Sequence, residues 1–131
     1  MAAVCPRKEY ATAIGTIEVD REGDVQVVSL HGEHDISTAP ELRGALERAQ
    51  AAGDAVVVDL TEVEFVDSTV LQALLQGRPS AEQGAERRLV LVVPDDGVAR
   101  RLLSLTNLDE LIPAYTTRAE AIAALGGRAG R

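Results

Sequence analysis

The chain carries a single cysteine, Cys5, in 131 residues. No internal disulfide can form, and nothing points to an oxidising compartment. Cys5 reads as a free thiol near the N-terminus. Aromatic residues are almost missing: Tyr10, Phe65 and Tyr115 stand alone. A core must therefore be built from Val, Leu, Ile and Ala. Stacking platforms for single-stranded nucleic acid are lacking as well. Lys8 is the sole lysine, and no G-x-x-x-x-G-K-[ST] run exists, which excludes a phosphate-binding loop of that kind. Positive charge is scarce: the formal net charge is −8. That sign opposes both nucleic acid and anionic membrane surfaces. No uninterrupted apolar run approaches the ~20 residues of a membrane-spanning helix. The opening "MAAVCPRKEY" lacks the apolar stretch of a secretory signal. The expectation is a cytoplasmic protein with neither nucleic acid nor membrane as partner.

What is present suffices for one domain. Hydrophobic residues form 46% of the chain, which argues against overall disorder. Residues 1–12 read as a weakly ordered lead. "AIGTIEV" (13–19) and "VQVVSLHG" (25–32) read as strands joined by a hairpin turn at "REGD", where a glycine sits among charges. Val25, Val27 and Ser29 fall on one side of the second strand, Val28 and Leu30 on the other. A helix follows "EHDISTAP". Ser37 or Thr38 can cap it, Pro40 suits its first turn, and Glu41 complements its dipole. Leu42, Ala45, Leu46 and Ala49 keep helical spacing to about Gln50, and Gly53 ends the run.

"AVVVDL" (55–60) is short, β-branched and continuous, as a buried strand is. From Ser68, the spacing of Val70, Leu71, Leu74 and Leu75 predicts a helix with Gln72 and Gln76 opposite. Gly77 and Pro79 interrupt it. "RRLVLVV" (87–93) is a further strand, and Pro94 stops it. Asp95 or Asp96 caps an amphipathic helix through Val98, Leu102 and Leu105. "DELIPAY" (109–115) holds a short strand. "TTRAEAIAAL" (116–125) is a final helix with threonine caps, and 126–131 reads as a loose tail. The order β-β-α-β-α-β-α-β-α implies a mostly parallel sheet with right-handed crossovers and an antiparallel first pair.

Candidate chemistry is sparse. Ser68, His31 or His34, and Asp35 supply the residue types of a hydrolytic triad. Ser68 lacks the G-x-S-x-G elbow, however, and such types co-occur in any chain of this length. His31, His34 and Asp35 also have metal-ligand character, but His-x-x-His is a weak signal alone, because zinc and iron sites need a third and fourth ligand at suitable positions. Two loop histidines beside a turn are the commoner case. The expectation is a non-enzyme that needs no cofactor and no metal.

Ser68 remains. It follows Asp67 where a strand gives way to a helix, and on physical grounds alone the pair is a helix cap. The other reading is a modifiable hydroxyl. Phosphate is tolerated at a helix N-terminus. It would bring about −2 of charge among Asp59, Glu62, Glu64 and Asp67, with Glu33 and Asp35 on the other loop.

Two stretches together resemble a known family. "LHGEHDISTAPELRGAL" (30–46) and "VVVDLTEVEFVDSTVLQAL" (56–74) are similar to the STAS domain, and within it to bacterial anti-sigma factor antagonists. "VARRLLSLTNLDELIPAYTTRAEAIAAL" is similar to the family's C-terminal part, so the resemblance spans residues 13–125. It implies a single small α/β domain: a mixed, mostly parallel sheet with an N-terminal antiparallel hairpin and about four helices packed on one side. It implies a binding switch. The partner is an anti-sigma factor with serine kinase activity, which itself binds ATP and Mg²⁺. The unmodified antagonist binds that partner and frees a sigma factor. Phosphorylation at Ser68 ends binding, and a phosphatase reverses it. The resemblance places Asp35 close to the modified serine, Asp67 before it, and Thr69 as a weaker acceptor. Ser37, Thr38, Val70 and Gln72 complete the expected support of the phospho-site or partner surface. Val70 stands where the family often has Gly. The alternative is an adaptor STAS subunit, never phosphorylated, in a stress-signalling complex or a lipid-transport ATPase.

Overall fold

A computed structural model of the protein describes residues 15–52, 54–77 and 89–129. The lead 1–12, Gly53 as a helix stop and Pro79 lie outside them. The elements are β1 (Gly15–Glu22), β2 (Val25–His34), α1 (Ala39–Ala51), β3 (Ala55–Val66), α2 (Ser68–Gln76), β4 (Leu89–Val92), α3 (Val98–Thr106), a 3-10 turn (Leu108–Glu110), β5 (Ala114–Tyr115) and α4 (Arg118–Ala129). One five-stranded sheet has the order β1-β2-β3-β4-β5. β1 and β2 are antiparallel, and every later pair is parallel. The hairpin turns at Gly23, whose φ of 64° suits glycine.

Side-chain alternation divides the sheet into two apolar faces. Val28, Leu30, Val56, Val58, Leu60, Leu89 and Leu91 meet α1, α2 and α3 in the larger core. The alternate residues Val25, Val27, Ala55, Val57, Val90 and Val92 pack with Ala121 and Leu125 of α4. The helix layer expected on one side is thus α1, α2 and α3, and α4 builds its own smaller cluster on the intervening residues. Burial on both faces explains why the central strands read as continuous apolar runs.

The second face also holds a polar cluster. Asp59 stands in the buried run of β3, where a carboxylate needs partners. Arg118, at the start of α4, donates through Nε and Nη2 to Asp59 Oδ2 at 3.0 and 2.8 Å. Nη2 also reaches Ser29 Oγ at 2.9 Å. The Thr61 N–H and hydroxyl donate to Asp59 Oδ1. Burial pushes the Asp59 carboxyl up, but the donors from Thr61 and Arg118 outweigh it and hold it below the usual 3.8. The cluster ties α4 to β2 and β3. It was legible as one charged residue inside "AVVVDL", a signal that calls for a partner.

Several boundaries differ from the sequence reading. β1 runs on to Glu22 rather than ending at Val19, and β2 to His34 rather than Gly32, because the two strands and β3 keep pairing past the apolar alternation. β3 does not stop at Leu60 but runs to Val66. Its second half is mostly exposed, so the apolar pattern ends while the backbone pairing with β2 continues. The last strand shrinks to Ala114–Tyr115, because Leu108–Glu110 coils into the 3-10 turn. α4 continues to Ala129, into the stretch read as a loose tail. Asp95 and Asp96 do not cap α3. Gly97 is the cap residue, with φ of 109° and no side-chain bond. Arg100 instead donates back to the carbonyls of Val93 and Pro94. The threonine cap of α4 is present, since Thr117 Oγ1 accepts the Glu120 N–H at 3.1 Å.

Candidate functional site

Parallel β2 and β3 deliver their C-terminal ends to one edge of the sheet. The register pairs His34 with Val66, so the 35–38 loop and the 67–68 turn leave side by side. Register shifts at Ser29/His31 and Gly32/Glu33 let β2 stay paired over this irregular end.

The chemistry of this edge is set by a repeated triplet, Asp-x-Ser/Thr. Asp35 Oδ1 accepts the Ser37 N–H at 2.9 Å and its hydroxyl at 2.6 Å. Asp67 Oδ1 accepts the Thr69 N–H at 3.0 Å, its hydroxyl at 2.8 Å and the Val70 N–H at 3.2 Å. Asp59 does the same for Thr61. Each aspartate folds the chain locally by satisfying donors two residues on. At Asp35 the Ser37 hydroxyl, then the Ser37 N–H, holds the carboxyl below its usual value.

Asp67 is therefore the N-cap of α2, and Ser68 is the first helical residue. The Ser68 side chain is exposed. Among the described residues its hydroxyl has no recorded hydrogen-bond partner, whereas the adjacent Thr69 hydroxyl is engaged. Gln72, one turn further, is exposed as well.

Two of the residues expected to support the phospho-site or partner surface turn inward. Val70 is buried at 1% exposure in the main core, so its bulk meets the sheet and not a partner. Thr38 is buried too. It occupies the N-cap of α1 but makes no capping bond. Its Oγ1 lies 3.0 Å from His34 Nδ1 and 3.2 Å from the Asp35 carbonyl. Both residues can support the edge only from beneath. Sequence reasoning missed the opposite case: Ile36 and Phe65 are apolar yet 67% and 45% exposed, flanking the same loop and strand end. An apolar residue between Asp35 and Ser37, inside a turn, was the available signal.

No three His, Cys, Asp or Glu side chains among the described residues gather as metal ligands. His34 Nδ1 and Nε2 face Thr38 Oγ1 and the His31 carbonyl. His31 Nε2 sits 3.8 Å from Glu18 Oε1, so neither histidine is bonded to Ser68.

Comparison with known proteins decides the family. A protein-family model described as "Mlab, STAS domain" matches residues 17–113. This protein belongs to the STAS family. An anti-sigma factor antagonist from Mycobacterium paratuberculosis is 35% identical, with a TM-score of 0.73 over 85% of this chain and 93% of that one. A putative anti-sigma factor antagonist from Thermotoga maritima is 26% identical, with a TM-score of 0.68 over 83% and 93%. SpoIIAA of Bacillus, solved in its phosphorylated form, shares the fold at 18% identity and a TM-score of 0.60 over 84% and 99%. Comparison with curated proteins gives no match. As a STAS domain the chain is a non-catalytic partner-switching module that acts through protein–protein contact. No helix among the described residues is long and apolar enough to cross a membrane.

The STAS edge rests on His34, which is 1% exposed. Gly15 of β1 lies so close that a Cβ there would meet the Glu33 and His31 carbonyls and His34 Nε2. Burial lowers the His34 pKa from 6.5, against smaller raising effects of the His31 and Thr16 backbones and of Asp35, while His31 lowers it further. The neutral ring is thus favoured in the fold. The unfolded chain binds the extra proton first, so stability falls as pH drops from about 6.5 toward the lowered value. The slope in this window reaches at most about 1.4 kcal/mol per pH unit. Urea midpoints measured at pH 7.5 and 5.5 should fall for the parent chain and stay level for His34→Gln. Equal slopes in both chains would show that His34 does not carry the acid sensitivity.

Proposed function

We propose that this STAS domain is an anti-sigma factor antagonist switched by phosphorylation of Ser68. Its unmodified form binds an anti-sigma factor that is also a serine kinase, and so releases a sigma factor. The kinase brings ATP and Mg²⁺, a phosphatase restores the free hydroxyl, and the cycle runs in the cytoplasm. The observation that carries this reading is an exposed serine hydroxyl, without a partner among the described residues, at the first position of α2, in a chain 35% identical to an anti-sigma factor antagonist. The docking surface is the end of β2 with the 35–38 loop, the 66–69 turn and the start of α2, with Ile36 and Phe65 as its apolar points and Asp35 and Asp67 as its charged ones. Phosphate adds about −1.5 to −2 of charge there without a change of fold. A phosphorylated relative, SpoIIAA, keeps the same fold, as expected for such a switch.

The second reading is an adaptor subunit held in a larger assembly without phosphate turnover. It is favoured by the family model itself, whose description names Mlab and no antagonist. One experiment separates the two. The chain is incubated with Mg·ATP and a cell extract of its source organism, and the modified residue is mapped by mass spectrometry. Phosphate on Ser68, with loss of the captured partner, supports the switch. A stoichiometric complex that persists with Ser68 unmodified supports the adaptor.

A further inference from the structure

We propose that Asp67 selects which hydroxyl is modified, by masking Thr69 and leaving Ser68 open; the inference rests on the phosphorylation reading above. Ser68 and Thr69 are adjacent hydroxyls at one helix start, yet they are in different states. Ser68 is exposed, and its hydroxyl bonds to no side chain or backbone group among the described residues. Thr69 is half-buried, and its hydroxyl donates to Asp67 Oδ1 at 2.8 Å. The same carboxylate oxygen also takes the N–H groups of Thr69 and Val70, so the cap and the masked hydroxyl are one unit.

Phosphoryl transfer sharpens the difference. The acceptor oxygen bonds to the γ-phosphorus of a nucleoside triphosphate. The bond from that phosphorus to the β,γ-bridging oxygen breaks, the nucleoside diphosphate leaves with the electron pair, and the hydroxyl proton passes to a base of the kinase. At Thr69 an anionic phosphoryl group would approach an oxygen in contact with a carboxylate, and like charges at that range repel. The transfer would also break the bond that orders the cap. At Ser68 no such bond is lost, and the product phosphate lies at the N-terminus of α2, where an anion is favoured. Asp67 is thus a positioning residue, which acts through Thr69. The triplets at Asp35/Ser37 and Asp59/Thr61 mask their own hydroxyls in the same way.

The test uses the full chain, Mg·ATP, a cell extract of the source organism as kinase, and site mapping by peptide mass spectrometry. The variants are Asp67→Asn and Asp67→Gly, each with Ser68 present and with Ser68→Ala. Asparagine keeps a capping oxygen without the charge, and glycine is tolerated at an N-cap, so at least one chain stays folded, as circular dichroism will report. The parent should be modified at Ser68, and Ser68→Ala should take no phosphate at Thr69. Removing the Asp67 carboxylate should raise the Thr69 share at least tenfold, most clearly in Ser68→Ala/Asp67→Gly, which has no side-chain oxygen to hold the Thr69 hydroxyl. Phosphate confined to Ser68 in every folded Asp67 variant would overturn the selection while leaving the switch intact. Loss of all phosphate in those variants alone would show that Asp67 serves docking and not the choice of hydroxyl, and would overturn it too. Thr69 modified in the parent would have the same result. No phosphate on the parent would overturn the proposed switch, and this inference with it.

Discussion

Ser68→Asp is expected to weaken binding to the proposed anti-sigma factor partner by at least about 100-fold, while Ser68→Ala binds as the parent does. A hundredfold loss needs about 2.7 kcal/mol. Two unit charges about 4 Å apart interact by about 4 kcal/mol at an effective dielectric near 20. One carboxylate facing a like charge or an apolar contact of the partner is therefore enough. Phosphate, with up to twice the charge, should do at least as much. Titration calorimetry with each variant measures the effect. Unfolding offers no escape from the result. An acidic residue at the start of α2 is favourable to the helix dipole, so the melting temperature of Ser68→Asp should match or exceed that of the parent. Ser68→Ala removes an exposed hydroxyl with no recorded partner, so its stability should change by no more than about 0.5 kcal/mol. Equal affinity of the Asp variant and the parent would refute charge gating.

The second large effect lies beneath the site. Leu74→Ala should lower the unfolding free energy by about 2–5 kcal/mol, the range for truncating a buried leucine and leaving a cavity. Leu74 is 0% exposed, on the face of α2 that also buries Val70, Leu71 and Ala73. These contacts hold α2 against the sheet and α1, and with it the turn that presents Ser68. Leu105 of α3 is the matched control. It is 73% exposed, so Leu105→Ala should change stability by about 0.5 kcal/mol or less. Urea denaturation of the two variants gives both numbers. A loss below 1 kcal/mol for Leu74→Ala would mean that α2 is not seated as described.

Much of this arrangement can be read locally. The element order, the hairpin, the faces of β2 and the helical faces of α1 and α2 follow from periodicities of two and 3.6 and from turn residues. The same rules placed a hydroxyl at a strand-to-helix junction, and two motifs carried the resemblance to the STAS family. Local pattern failed wherever a distant contact decided. β3 was cut at Leu60 because its outer half loses burial on both faces, although pairing with β2 carries it to Val66. Asp95 and Asp96 have the right composition for caps, but the backbone at Gly97 turns them away from that role.

What the sequence determined by itself is the set of elements, their order, and the presence of Ser68 beside Asp67. These depend on side-chain spacing and on bonds spanning two or three residues. What only the tertiary structure decided is which side of each element meets another. It sent Thr38 inward, left Ile36 and Phe65 outside, joined Arg118 to Asp59 across 59 positions of chain, and gave α4 its own face of the sheet. The reason is that burial is a property of the assembled layers.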